Sequence, residues 1–287
     1  MKEKIYGVVV LYNPPNEVIG NIATYIDFVD KLYLYDNSSK SNYDMFCNMA
    51  RFDKVEYISN CINDGISKSL NVIINIINTP CSWLLTMDQD SKFYGNEFGE
   101  LLNRINDLDP IVGLLSPKHT SAILNGKNSN GLLASGLVES DIVMTSGNLI
   151  NVDIAKKIGA FDERYFIDCV DWDFCLRLKL NGYKVIVDNL IKLEHGLGDS
   201  PEIRKFITHN IVVCNYNPIR RYYITRNKLL FFTTHFRQFP NHAFKSLLSI
   251  FLDVFKIIFF EKDKIKKISS MTEATNDFCR NRFGYKK

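Results

Sequence analysis

The chain is short of features that announce several protein classes. Its seven cysteines, at positions 47, 61, 81, 169, 175, 214 and 279, are odd in number, scattered, and form no C-x-x-C pair. That argues against a disulfide framework or a structural zinc site and fits a reducing compartment. With 8 prolines among 287 residues, 46% hydrophobic and 13% aromatic residues, the chain is neither disordered nor collagen-like. No uncharged apolar stretch approaches the roughly 20 residues of a spanning helix. The longest candidate, residues 243–260, is interrupted by Lys245, Asp253 and Lys256. The apolar run at 5–12 follows Lys2 and Lys4, but it is short and β-branched and ends in Asn13-Pro14-Pro15 without a small-residue cleavage site. It reads as a buried first strand, not a signal peptide, and the protein as cytoplasmic. A Walker A loop, a G-x-G-x-x-G turn and a G-x-S-x-G elbow are all missing, so ATPase, dinucleotide-enzyme and α/β-hydrolase readings lose their main support.

What is present is an uneven charge. The formal total is only +3, yet residues 201–287 carry 17 Lys and Arg against 6 Asp and Glu, leaving 18 against 26 for residues 1–200. Segments of +11 and −8 suit different partners. The length allows one large domain with an appendage, with a division expected between residues 1–215 and a basic helical region at 216–287.

Strand-like and helix-like segments alternate in the first half. Strands are expected at 5–11, 31–35, 55–58 and 83–87. Helical spacing runs through Val18, Ile22 and Ile26, and again through Ile66, Leu70, Ile73, Ile74 and Ile77 behind Asp64 as N-cap. This order implies βαβ units and a mostly parallel sheet, in which ligands bind beyond the carboxyl ends of the strands. Asp36-Asn37-Ser38-Ser39 and Asp88-Gln89-Asp90-Ser91 fall at two such ends. From about residue 111 the pattern loosens. Short strands are expected at 113–116, 131–138 and 141–144, a short helix near 153–158, a stronger helix at 170–181 stopped by Gly182, a strand at 183–187, and a loop at 194–199 over the site.

Asp88 and Asp90, one residue apart on a turn leaving a strand, can converge on a hard cation such as Mg²⁺ or Mn²⁺, though acidic turns are also common without one. Asp168 and Asp171 flank a helix start, where carboxylates favour the dipole, and Asp173 and Arg177 form an i,i+4 pair, so capping and pairing account for these acids individually. The neighbouring Trp172 sets Asp171 apart. A lone histidine is more often structural than a ligand, but His195 lies beside Gly196 and Gly198, and as a third ligand it suits Mn²⁺ better than Mg²⁺. The loop Asn60-Cys61-Ile62-Asn63-Asp64-Gly65, opening a helix with Lys68, offers free backbone N–H groups to an anion.

In order, these residues resemble the inverting, nucleotide-sugar-dependent glycosyltransferases of family 2, and most nearly their bacterial rhamnosyltransferase branch. The resemblance is carried by Val8-Val9-Val10-Leu11-Tyr12-Asn13-Pro14, Tyr35-Asp36-Asn37-Ser38-Ser39, Asn63-Asp64-Gly65-Ile66-Ser67-Lys68-Ser69-Leu70-Asn71 and Leu85-Thr86-Met87-Asp88-Gln89-Asp90-Ser91. It continues in Thr145-Ser146-Gly147-Asn148-Leu149-Ile150, Gly159-Ala160-Phe161-Asp162-Glu163, residues 166–177, Asn181-Gly182-Tyr183, His195-Gly196-Leu197-Gly198 and Arg221-Tyr222-Tyr223 with Arg226-Asn227, spanning roughly residues 5–230. It implies an α/β fold of the GT-A type, Rossmann-like, with a C-terminal helical extension. It implies that Asp36 contacts the nucleoside, with Leu11, Tyr12 and Asn13 lining its pocket. Asn63, Lys68, Gln89, Ser146 and Gly147 join the nucleotide-sugar site, and Asp88 and Asp90 serve ribose and metal, with His195 as a further ligand. The carboxylate before the Asp-Phe-Cys-Leu-Arg run, Asp171, resembles the general base. The family pattern Glu-Asp-x-Asp reads Val170-Asp171-Trp172-Asp173 here, which leaves Asp168 as the other choice. Trp172 is expected on a sugar face, or as a core or rim aromatic. The donor implied is dTDP-β-L-rhamnose or a related nucleotide sugar, and the acceptor a saccharide on a polyprenyl diphosphate, in bacterial cell-surface polysaccharide (O-antigen) synthesis. A different nucleotide sugar, or a non-catalytic protein on the same fold, stands as the alternative.

The basic tail carries Phe244, Leu247, Leu248, Phe251, Phe255, Ile258 and Phe259 at helical spacing, with Lys262, Lys264, Lys266 and Lys267 following. Such a helix fits an anionic membrane surface, here the inner face of the cytoplasmic membrane, or else a helical pair packed on the catalytic domain. No nucleic-acid module accompanies the charge.

Overall fold

Val8, Val9 and Val10 sit in the middle of strand β1 (Lys4–Leu11), with Val8 and Val9 fully buried, and β1 is central to everything that follows. The computed structural model describes residues 3–49, 53–120, 136–196, 202–206 and 209–286. The chain forms two compact units: Met1–Asp162 with Val170–Gly196, and Glu163–Cys169 with Leu197–Lys287.

In the first unit, β1 leads through helix α1 (Glu17–Ala23) to β2 (Lys31–Asp36), then through α2 (Tyr43–Phe46) to β3 (Val55–Ser59), and through α3 (Gly65–Ile76) to β4 (Ser82–Asp88). These four strands pair in parallel in the order β3-β2-β1-β4. Successive strands step one way from β1 to β3, and β4 returns to the other side of β1, so the order reverses there. Covered on both faces, such strands read as near-continuous apolar runs, as β4 does. Beyond β4 come β5 (Ser91–Phe93), α4 (Glu97–Ile105), β6 (Val112–Thr120), β7 (Leu137–Glu139), β8 (Asn148–Asn151), α5 (Val152–Lys157), α6 (Val170–Leu180) and β9 (Lys184–His195). Here the sheet is mixed: β8 lies antiparallel between β4 and β6, β9 runs parallel to β6, and β5 and β7 pair antiparallel with β9. The core joins Val9, Leu11, Leu34, Leu85 and Met87 of the strands to Val18 and Ile22 of α1 and to Phe98, Leu101 and Ile105 on one stripe of α4. Each such burial stabilises by about 1.5–3 kcal/mol.

The α/β fold and its first four strands match the expected pattern, and two local expectations do not hold. Residues 141–144 are not a strand; the ladder beside β4 is filled by Asn148–Asn151, paired from Thr86↔Asn148 to Trp83↔Asn151, and 141–144 only lead into it. His195 is not in a loop but ends β9, opposite Ser91. Asp64 stands at the N-cap of α3 as expected, and its carboxylate accepts from Tyr35, Asn60 and Lys68 rather than from a helix N–H. Residues 131–135 of the expected strand at 131–138, and 197–199 of the expected loop, lie outside the described residues.

The second unit contains the β10 (Glu202–Phe206) and β11 (His209–Val213) hairpin and helices α7 (Pro218–His235), α8 (Pro240–Phe260) and α9 (Lys264–Cys279). Asn217 caps α7 by accepting from the Arg220 N–H, ahead of Pro218. A buried ionic network joins the helices: Arg221 pairs with Glu261 and with Asp253 (3.0 Å), Lys267 with Glu261 (2.8 Å), and Lys228 with Asp253 (2.7 Å). Phe166 stacks on Tyr223 with ring centroids 4.8 Å apart.

The expected Asp173–Arg177 pair is present on α6 and fixes it in the first unit. The Asp173 carboxylate is buried and meets Arg177 Nε at 2.7 Å, while the Arg177 fork also donates to the Ile158 and Ala160 carbonyls. Arg177→Met leaves that carboxylate buried without its cation and is expected to destabilise the protein by about 3 kcal/mol in chemical denaturation, against well under 1 kcal/mol if the pair behaved as an exposed one.

Candidate active site

The parallel registers bring three strand ends to one edge: Leu11 lies opposite Asp36, and Val10 opposite Asp88. This edge, between β1 and β4 where the order reverses, is where open α/β sheets bind ligands. Gln89 fastens it. Its Oε1 accepts from the Tyr12 N–H at 2.9 Å and its Nε2 donates to the Tyr12 carbonyl at 3.1 Å, so both ends of the Gln89 amide hold the end of β1 to that of β4. Asn13, at φ 44°, donates its N–H to Ser38 Oγ at 2.7 Å, which ties the β1 and β2 ends together. Tyr12 is 54% exposed at the edge, and Leu11 is buried beneath it.

Asp36 is fully buried, and its oxygens accept from the Ser38 N–H, the Asn42 N–H and Nδ2, and the Tyr57 hydroxyl. Burial alone would raise its pKa; the donors on Ser38, Tyr57 and Asn42 outweigh that and hold the carboxyl below its ordinary value. Asn37 was not singled out from the sequence, yet it links β2 to α3: its Nδ2 donates to Ser69 Oγ at 3.0 Å, and its Oδ1 accepts from the Asp64 N–H at 3.1 Å. In the loop opening α3, Asn63 Oδ1 accepts from the Gly65 N–H at 3.0 Å, and Lys68 pairs with Asp64 at 2.7 Å, so the charge expected for an anion is engaged with a carboxylate.

Asp88, Asp90 and His195 converge. Their ligand atoms all lie within 4.8 Å of one another, with His195 Nδ1 3.6 Å from Asp90 Oδ1 and 3.9 Å from Asp88 Oδ2. Pairing of β5 with β9 produces this, since Ser91 sits opposite His195 and its hydroxyl is 2.7 Å from His195 Nδ1. A Cβ at 196 would lie 2.7 Å from Asp90 Oδ2, so glycine there leaves the carboxylate room in its present position. Two carboxylates and an imidazole, partly open to solvent, are a donor set that fits Mn²⁺ and, less well, Mg²⁺.

A chain of contacts supports Asp88 from behind. Its N–H donates to the buried Ser146 Oγ at 3.0 Å, and the Ser146 carbonyl accepts from His119 Nε2 at 2.6 Å. Burial pushes the His119 imidazole down, and His195 adds to this against the opposing bond to Ser146. Gly147 takes φ +79° with a virtual Cβ 2.7 Å from Leu193 Cδ2, so no side chain fits there. His119 carried no motif; its only signal was its place just past the carboxyl end of an expected strand. The His119 and His195 rings meet edge to face at 6.4 Å, and His119 also lines a cavity of about 270 Å³ with Trp172, Lys118, Ser140 and Met144. A larger cavity of about 850 Å³ lies at the opposite edge, against the starts of β1, β4 and β6, away from these residues.

The two candidate bases lie in different units. Asp171, in the first turn of α6, accepts the Trp172 N–H at 3.0 Å. Asp168, in the second unit, has φ +62° and is followed by Cys169 at +63°; its Oδ1 is 3.4 Å from Arg220 Nη2, and its Oδ2 has no hydrogen-bond partner among the described residues. Burial pushes the Asp168 carboxyl up against the opposing cations, chiefly Arg220.

No protein-family model matches the chain. The dTDP-rhamnosyl transferase RfbF of Shigella flexneri is 29% identical over 300 residues, covering 98% of this chain and 97% of that protein. A structure of GalNAc-T7 with UDP, GalNAc and Mn²⁺ matches with a TM-score of 0.56 at 10% identity, over 67% of this chain; the chain spans 44% of that one. The fold is that of the GT-A glycosyltransferases. The resemblance of the ordered motifs to family 2, in its bacterial rhamnosyltransferase branch, is borne out by the relative matched from end to end.

Asp36 gives a prediction with a definite sign. Its depressed folded pKa means that its stabilisation is present above about pH 4 and is lost as pH falls through the folded value. Asp36→Asn is therefore expected to lower stability by about 1–3 kcal/mol at pH 7 in urea unfolding, and the gap to the unmodified protein narrows below about pH 4. A gap independent of pH would contradict the assignment.

Proposed function

We propose that the protein transfers L-rhamnose from dTDP-β-L-rhamnose, with inversion, to a hydroxyl of a saccharide acceptor carried on a polyprenyl diphosphate, in the synthesis of bacterial cell-surface polysaccharide at the inner face of the cytoplasmic membrane. The observation that carries this reading is the Asp88, Asp90 and His195 cluster at the strand-end edge, joined to the likeness to a dTDP-rhamnosyl transferase along nearly the whole chain.

In this reading the β1 and β2 ends, Leu11 to Asn13 and Asp36, receive the nucleoside, with Asn63 and Lys68 nearby. Asp88, propped by Ser146, and Asp90 with His195 hold Mg²⁺ or Mn²⁺. The ion, when bound, neutralises the negative charge that develops on the departing diphosphate. An acceptor hydroxyl is a poor nucleophile near neutral pH, so a carboxylate takes its proton as the oxygen attacks, typically worth about 10²–10⁴ in rate. Asp171 is assigned that role, because it stands in the same unit as the cluster and beside Trp172, which opens onto the cavity that His119 shares. Trp172 is assigned to a sugar face. Asp168, paired with Arg220, is assigned a positioning role.

Thermal shift against a panel of nucleotide sugars, with and without Mn²⁺, tests the donor. Selective stabilisation by dTDP-rhamnose in the presence of Mn²⁺ is expected; stabilisation by UDP- or GDP-sugars alone would move the protein to another donor. Asp171→Asn is expected to lower kcat by about 10²–10⁴ while keeping the donor-induced shift. Full turnover in Asp171→Asn, with the loss appearing in Asp168→Asn, would transfer the base role to Asp168.

A further inference from the structure

Helix α8 is turned with its aromatic stripe outward. Ala243, Ser246 and Ile257 are buried, and Asp253 on the same side pairs with Arg221 and Lys228 of α7. At 100° per residue, Phe244, Leu248, Phe251, Leu252, Ile258 and Phe259 gather on the opposite side. That side is open: Phe251 is 65% exposed, Leu248 59%, Phe259 58% and Phe244 56%. Between Phe244 and Phe259 the helix thus presents an apolar stripe about 23 Å long to its surroundings. A contiguous exposed patch of this kind marks a partner or a membrane. No helix among the described residues is long and apolar enough to cross a membrane, so a bilayer would be met in the plane of its surface.

The charges select the occupant. Lys245 and Lys256 flank the stripe on one edge, and Lys262, Lys264 and Lys266 are exposed just past its end; Lys267, adjacent in sequence, is buried on Glu261. A second copy docking antiparallel through this face would set the Lys245 and Lys256 edges side by side, whereas anionic headgroups complement them. We propose that α8 lies in the interface of an anionic bilayer, with Phe251, Leu252 and Phe259 among the acyl chains and the lysines at the phosphates. This deepens the reading of a lipid-linked acceptor and rests on it for its purpose, while its test is independent of transfer.

The test is flotation of the full-length protein with vesicles of phosphatidylcholine alone and with phosphatidylglycerol added. Binding is expected to the anionic vesicles only. It should fall at least about tenfold in Phe251→Glu/Leu252→Glu and in Lys262→Glu/Lys264→Glu/Lys266→Glu. Circular dichroism and the donor-induced thermal shift should be unchanged in both variants, whose substituted side chains are exposed. Equal flotation of the Phe251/Leu252 variant, or no flotation of the unmodified protein, overturns the proposal. So does a dimer in sedimentation that this variant dissociates, which would give the face to a second copy. Loss of the donor-induced shift in the unmodified protein would count against the transferase reading and leave flotation unaffected.

Discussion

Parallel pairing of β1 to β2 on one side and β4 on the other is the constraint on which the rest of the site depends. It sets Leu11 against Asp36 and Val10 against Asp88, and so brings three chain segments, up to 78 residues apart in sequence, to one edge. The backbone geometry leaves little freedom beyond that. Side chains at the edge mostly hold it in place: Gln89 clasps Tyr12, Asn37 links β2 to α3, and Asp36 is enclosed by its own turn. Residues the family resemblance assigns to the nucleotide pocket thus also serve as fasteners, and their loss would loosen the edge as well as any ligand contact.

The acidic cluster has a different energetic character. Two carboxylates close together, with an imidazole 3.6–3.9 Å away, repel unless a cation or a proton intervenes. The structure holds them there by means outside the cluster: Ser146 on the Asp88 N–H, His119 behind Ser146, and Gly196 leaving room for Asp90. The fold holds this like-charged arrangement in place.

The parallel half of the fold was legible in the sequence because its strands are β-branched runs and its helices have clear periodicity. The carboxyl-end position of Asp36 and Asp88 followed from that alone. His195 was picked out, but its setting was not, since a glycine-flanked histidine reads as a loop and only the antiparallel β5–β9 ladder puts it opposite Ser91. His119 was missed for the same reason: its partner is a carbonyl 27 residues away, a contact that no local pattern encodes. The strand expected at 141–144 failed because several short apolar segments competed for the ladder beside β4, and pairing chose 148–151. Periodicity found the amphipathic stripe of α8 but could not say which way it faces; that was decided by Asp253 meeting Arg221 and Lys228.

The charge split of −8 and +11 maps onto these two features. The acidic part contains the cluster suited to a cation, and the basic part the lysines beside an exposed apolar helix. The central claim is that Asp88, Asp90 and His195 act together as one metal site. Titration of Mn²⁺ in the presence of dTDP, followed by the electron paramagnetic resonance of free Mn²⁺, addresses it most directly. The account predicts one bound ion in the unmodified protein, with at least about tenfold weaker binding in Asp90→Ala and in His195→Ala and no loss of fold. Unchanged Mn²⁺ affinity in both variants would contradict it.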